Sequence, residues 1–176
     1  MLLLISGSLR KDSFNTKLLH VVAGAYGGDS QLADLNQPLF NEDLEAELDG
    51  VPAEVQALSD QIKAAEAVVI ASPEYNKNLT GVLKNALDWV SRTKGGPWKD
   101  KPVALVGASP GREGAARAMH SVVLAIKPFQ PRLVTGPEIQ IAMAHQEFAD
   151  DGSLPNERYM DAIATLVARL KAETTR

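Results

Sequence analysis

Three short stretches of this chain carry residue types able to bind a small molecule. Gly7-Ser8-Leu9-Arg10-Lys11-Asp12-Ser13-Phe14-Asn15-Thr16 offers the hydroxyls of Ser8, Ser13 and Thr16, the amide of Asn15 and the guanidinium of Arg10. Gly7 permits a tight turn. Ser13 is a natural N-cap, and a helix opening there turns the amides of Phe14, Asn15 and Thr16, at its positive end, toward an anion. The small cationic complement suits a phosphate monoester better than a triphosphate. The plainer reading, that Ser13 caps a helix and the hydroxyls bond the turn, stays open on these residues alone. The stretch lacks both Gly-x-Gly-x-x-Gly and Gly-x-x-x-x-Gly-Lys-Ser/Thr, which excludes a dinucleotide fingerprint and a Walker-type nucleotide loop.

Ser72-Pro73-Glu74-Tyr75-Asn76-Lys77-Asn78-Leu79-Thr80-Gly81 is the second stretch. Pro73 fixes its own φ and biases Ser72 toward extended geometry, so the turn is stiff. A stiff turn can hold the amides of Glu74, Tyr75 and Asn76 in a row against the polar edge of a heterocycle, with Tyr75 as ring face or rim. A strand-to-helix connection with Tyr75 packed and Asn78 capping the helix explains the same residues without a ligand. The third stretch, Gly107-Ala108-Ser109-Pro110-Gly111-Arg112-Glu113-Gly114, is glycine-rich. Gly111 and Gly114 allow close backbone approach by a planar ligand, and Ser109 can donate to it.

Each stretch follows an apolar run that reads as a buried strand: Met1–Ile5, Ala67–Ala71 and Pro102–Val106. Gln31–Leu35 and Arg132–Thr135 are weaker strands. Helical spacing appears in Leu18–Ala25, Val55–Ala65, Leu79–Arg92, Ala115–Ile126 and Met160–Leu170. Residues 36–50 read as a long acidic loop and Glu173–Arg176 as a frayed tail. Five strands alternating with five helices imply a parallel sheet with right-handed crossovers. Ligands of such sheets bind beyond the carboxyl ends of the strands, where all three stretches fall. Asn85, Asp88, Trp89 and Arg92 share one helix side, read as a solvated face or oligomer contact, and Trp89 and Trp98 are the expected aromatic anchors of a subunit interface.

The composition narrows the chemistry. The 176 residues are 45% hydrophobic and 23% charged, an ordinary balance for one domain spanning residues 1–176. A net charge of −4 argues against nucleic-acid binding. There is no cysteine, which excludes thiol nucleophiles, zinc–thiolate sites and disulfides. His20, His120 and His145 are too scattered for a metal cluster, and no Ser-His-Asp or paired-carboxylate arrangement stands out. His120 reads as a packed or surface residue. No segment has the length of a membrane span or the order of a signal peptide, so a soluble cytoplasmic protein with no membrane insertion is expected.

The stretches GSLRKDSFNTKL, SPEYN with GVLKNALDWVSR, and ASPGREGAARA resemble the NADPH-dependent FMN reductase family of flavodoxin-like proteins, which includes quinone, chromate and azo-dye reductases. The resemblance covers most of residues 1–126, and the segment after Ile126 departs from it. It implies a flavodoxin-like α/β three-layer sandwich with five parallel strands in the order 2-1-3-4-5. It implies bound FMN, its phosphate against Ser8, Arg10, Ser13, Asn15 and Thr16 and its ring along Pro73, Glu74, Tyr75 and Asn76, near Ser109 and Gly111. NADPH or NADH is the implied co-substrate, with hydride passing through the flavin to a small-molecule acceptor such as a quinone, flavin, azo compound or metal oxyanion. A homodimer or homotetramer, with a neighbouring subunit helping to wall the site, is also implied. The family often has Ser and Pro where this chain has Asn78 and Thr80, which points to a less rigid second loop.

Two other functions fit parts of this pattern. A flavodoxin-like FMN electron carrier without nicotinamide turnover would usually be more acidic than −4, because carriers dock on redox partners by charge. A phosphoacceptor signalling domain would need acidic residues where Ser6 and Ser72 stand.

Overall fold

The computed structural model describes all of residues 1–176. Five strands, β1 (Leu2–Ser6), β2 (Ser30–Ala33), β3 (Ala67–Ala71), β4 (Pro102–Ala108) and β5 (Arg132–Ile141), form one parallel sheet in the order β2-β1-β3-β4-β5. The helices are α1 (Phe14–Tyr26), α2 (Glu42–Glu47), α3 (Ala53–Ala64), α4 (Gly81–Ser91), α5 (Ala116–Ile126), α6 (Ala144–Glu147) and α7 (Glu157–Thr174). This is the expected flavodoxin-like architecture, with strand order 2-1-3-4-5.

Side-chain alternation along uncharged strands produces the three layers, because successive residues point to opposite faces. Leu2 and Leu4 of β1, Val69 of β3 and Val106 of β4 join one core of 21 buried residues, beneath α1 and α7. Leu3 and Ile5, Val68 and Ile70, and Val103 join a second core of 20, beneath α3, α4 and α5. The near-equal cores leave β1 and β3 buried on both faces, as expected of a parallel sheet wrapped by crossover helices.

Several elements differ from expectation. The acidic segment 36–50 holds α2, capped by Asn41, whose side chain accepts from the Asp43 amide, with Glu42, Asp43 and Glu45 in its first turn. Acidic residues there complement the helix dipole. β5 does not end at Thr135. It pairs with β4 through Val134, leaves the ladder opposite Leu105, and rejoins at Ile139 through Ile141. The tail is not frayed at Glu173, which pairs with Arg132 and Arg176. Trp89 and Trp98 are 0% and 2% exposed, so neither is available to a partner. The Trp89 indole N–H donates to the Pro38 carbonyl at 2.8 Å, and the Asn85 side chain donates to the same oxygen and accepts from the Phe40 amide. The shared helix side therefore fastens the chain's own 36–41 segment.

Candidate active site

The first loop joins β1 to α1 as expected. Ser13 is the N-cap of α1, and its Oγ accepts from the amides of Asn15 at 3.2 Å and Thr16 at 3.4 Å. Those two amides are therefore already engaged. The amides of Leu9, Lys11, Asp12 and Phe14 donate to no protein acceptor. Free amides at the opening of a 13-residue helix fit an anionic ligand. The Ser8 hydroxyl accepts from the Arg10 amide at 3.3 Å, and Thr16 Oγ1 lies 2.9 Å from Ser6 Oγ. Arg10 folds back on its own loop, bonding the Asp12 carbonyl and lying 5.6 Å above the Phe14 ring. Arg10 is exposed to solvent.

Asn15 sits differently. Its side chain is 2% exposed and clamps the end of β4, donating to the Ala108 carbonyl at 2.9 Å and accepting from the Ala108 amide at 3.0 Å. Both ends of the carboxamide are thus committed within the protein.

The second loop is a tight turn. Tyr75 and Asn78 exchange backbone hydrogen bonds of 3.2 and 3.1 Å, and the two residues between them have positive φ, 52° at Asn76 and 64° at Lys77. Two positive φ values in succession characterise type I′ turns, which favour Asn at the first position and Gly at the second. The Tyr75 amide belongs to this turn, while the amides of Glu74, Asn76 and Lys77 have no protein acceptor. Tyr75 is 54% exposed, an aromatic face presented at the rim rather than packed.

This loop is not loosened by Asn78 and Thr80. The Asn78 side chain accepts from the Leu79 amide at 2.8 Å. Thr80 is the N-cap of α4, accepting from the Leu83 amide, and its hydroxyl donates to the Gly7 carbonyl at 2.6 Å. A Cβ on Gly7 would come within 3.0 Å of that hydroxyl, so only glycine lets the two loops meet this closely. Thr80 was foreseen only as a departure from the family pattern. Its position just before an apolar helical stripe was the available signal of a cap.

Glu74 also turns inward. Its side chain is 11% exposed, and its carboxylate accepts from the Arg117 amide at 2.9 Å and the Ala118 amide at 3.4 Å, with the Arg117 guanidinium 3.4 Å away. It caps α5, whose preceding residue Ala115 has no side-chain acceptor of its own. The backbone of Glu74 remains at the opening while its carboxylate is held elsewhere.

The third loop lies against the end of β5. Ser109 donates its amide to Ile141 and accepts from Ala144, and Gly111 accepts from Met143. Ser109 Oγ accepts from the Gly111 amide at 3.1 Å. Gly114 has φ +57°, and a Cβ there would sit 2.7 Å from the Gln140 carbonyl oxygen. Phe148 stacks on Phe14 at 5.8 Å, so the segment after β5 also packs on the helix that opens the site. That contact had no sequence signal, since it joins residues more than 130 positions apart.

The structure thus gathers Ser8, Arg10, Ser13, Pro73, Glu74, Tyr75, Asn76, Ser109 and Gly111 on loops, and Thr16 in the first turn of α1, at the carboxyl end of β1, β3 and β4. Unbonded amides on two loops, a basic side chain and an exposed aromatic ring fit a mononucleotide with a flat base.

Known proteins agree with that fit. The profile of the NADPH-dependent FMN reductase family matches residues 1–147, extending past Ile126 through β5 and α6. An NAD(P)H-dependent FMN reductase of Pseudomonas aeruginosa is 40% identical over 162 residues, 90% of this chain and 86% of that protein. A 2-hydroxy-1,4-benzoquinone reductase of a Burkholderia species is 33% identical over 172 residues, 96% of this chain and 92% of that one. Among solved structures, the flavoenzyme FerB of Paracoccus denitrificans, an NAD(P)H:(acceptor) oxidoreductase, superposes with a TM-score of 0.85 at 33% identity, covering 98% of this chain and 97% of its own. The chain belongs to the NADPH-dependent FMN reductase family of flavin oxidoreductases.

Proposed function

We propose that this protein holds FMN across the carboxyl rim of its sheet and uses NADH or NADPH to reduce a small planar acceptor, with a quinone the favoured class. The observation that carries the assignment of the site is the set of unbonded amides on the first two loops, at Leu9, Lys11, Asp12 and Phe14 and at Glu74, Asn76 and Lys77. Relatives named for FMN and for a benzoquinone support the cofactor and the acceptor. Bound FMN supplies the two-electron relay, so that NAD(P)H, a proton and a quinone become NAD(P)⁺ and a hydroquinone.

The protein residues bind and orient. Ser8, Arg10, Ser13 and Thr16, with the free amides of their loop, receive the phosphate, while Asn15 acts from behind through Ala108. Pro73, Glu74, Tyr75 and Asn76 carry the ring's polar edge, and Ser109 and Gly111 line its other side. Lys77 and Arg112, both exposed and without an ion-pair partner, stand on the second and third loops and attract an anionic dinucleotide.

A homodimer or homotetramer is part of this reading. It is supported by Leu39, 81% exposed at the tip of the segment that Asn85 and Trp89 hold in place. No helix is long and apolar enough to cross a membrane, which fits a cytoplasmic enzyme. Sedimentation of the wild type beside Leu39→Asp tests the assembly.

The experiment for the whole reading is anaerobic. Purified protein supplied with FMN is expected to be yellow and to bleach within seconds of adding NADH or NADPH, then recover its colour with a benzoquinone. Reduction by dithionite alone would indicate an electron carrier, and protein that takes up no FMN would refute the site.

A further inference from the structure

We propose that Asn15, Thr80 and Glu74 are positioning residues that lock the three site loops into one preformed unit before any flavin arrives. This rests on the flavin reading of the site and adds a device that reading does not contain.

Of the six buried polar residues in the chain, Ser6, Ser13, Asn15, Ser72 and Thr80 lie at the carboxyl rim, and Ser59 alone lies elsewhere. Burying a polar group is unfavourable unless it is hydrogen-bonded. Three side chains at this rim use their bonds to reach another loop. Thr80 of the second loop donates to the Gly7 carbonyl of the first. Asn15, from the first, takes both backbone groups of Ala108 where the third begins. Glu74, from the second, accepts from Arg117 and Ala118, the helix start that follows the third. Loop one is tied to two, two to three, and three to one, so the ring is closed.

Glycines let the tied loops touch. A Cβ on Gly107 would stand 2.9 Å from the Ala115 Cβ and 3.3 Å from the Ser72 carbonyl oxygen, between the second and third loops. The ties consume backbone groups on the inner side and leave the amides at the opening free. Ordering a loop residue opposes binding, so loops fixed in the flavin-free fold spare the ligand that penalty. In a closed ring, cutting one tie also loosens the other two. Thr80 and Asn15 should therefore affect one another although they share no bond.

Amide hydrogen exchange and FMN titration on flavin-free protein test this. The Ala108 amide, bonded to Asn15, is expected to be protected in the wild type. Thr80→Val replaces the hydroxyl with a methyl group, deleting both the tie to Gly7 and the cap on α4, and should speed exchange at Ala108 at least tenfold and raise the FMN dissociation constant about tenfold. Thr80→Ser should restore both. Unchanged protection of Ala108, or FMN affinity within twofold of the wild type in folded Thr80→Val, overturns the proposal, because a cap that serves α4 alone would move neither. Should Thr80→Val fail to fold, Glu74→Ala is read by the same two measurements against the same limits. Failure of the flavin reading looks different: wild-type protein would take up no FMN, and exchange at Ala108 alone would then decide for or against the ring.

Discussion

The two ends of the sheet are fastened by largely different means. At the carboxyl end, two of the three side-chain ties between loops are neutral and buried, Asn15 to Ala108 and Thr80 to Gly7, and only the Glu74 carboxylate is charged. At the amino end the ties are mostly ionic and nearer the surface. The Met1 ammonium pairs with Glu66 at 3.1 Å, and the Tyr26 hydroxyl donates to Glu66 at 3.0 Å. Lys101 donates to the Lys63 and Ala65 carbonyls at the end of α3, and Arg132 reaches Glu173 near the end of α7. Charges in solvent tolerate motion and salt, whereas buried neutral bonds hold one geometry. A rim that must present free amides to a ligand uses the second kind.

The largest effect should come from the ligand side of the rim. Arg10→Ala combined with Ser13→Ala is expected to weaken FMN binding by about 2–4 kcal/mol, since charge-assisted hydrogen bonds contribute about 1.5–3 kcal/mol each. Fluorescence titration measures it, and unchanged affinity would remove the phosphate role from the first loop. Asn15→Leu should lower global stability by about 2–3 kcal/mol, because it strands both backbone groups of Ala108 in a dry site. A denaturant midpoint no lower than that of the wild type would erase the contrast between the ends.

The amino end should respond to pH instead. Burial, reinforced by the bond to Glu66 and that group's charge, pushes the Tyr26 hydroxyl up to about 12 from 10. A raised folded-state value favours the protonated native form, so this stabilisation is complete below pH 10 and disappears as pH climbs toward 12. Tyr26→Phe should be less stable than the wild type at neutral pH, with the gap closing over that alkaline window by on the order of 1–2 kcal/mol. The Glu66 carboxyl is held below its usual range, first by the terminal ammonium and then by Tyr26. Its contribution is present at neutral pH and fades as acid protonates it, and Glu66→Gln should flatten that acid limb.

The smallest effect belongs to the second loop's turn. Lys77 holds φ at 64°, where a side chain is strained and glycine is not. Lys77→Gly should raise stability by about 0.5–1 kcal/mol, read from thermal melts with ΔH measured by calorimetry. A loss instead would mean that the strained turn is supported by contacts of the lysine itself.

The sequence spoke most clearly where the chemistry is local. Strand runs such as Ala67–Ala71, the cap at Ser13 and the stiffness that Pro73 brings depend on near neighbours and appear where expected. It was quiet where partners are distant. Asn15 carries the right group for a phosphate, and its commitment to a strand end 93 residues away is invisible in a linear reading. Glu74 enters that reading for its backbone amide, and the capture of its carboxylate by the start of α5, 43 residues further on, has no local signal. Both tryptophans suggested an interface by type, while their burial was set by the packing of α4 and of the turn before β4.

The amino-acid order alone thus determined the alternating elements, the parallel sheet and the three loops, because periodicity, capping and turn chemistry act over a few residues. Tertiary structure decided which polar side chains face a ligand and which brace the loops behind it. That choice depends on which backbone groups from remote segments lie within about 3 Å, a distance only the folded chain sets.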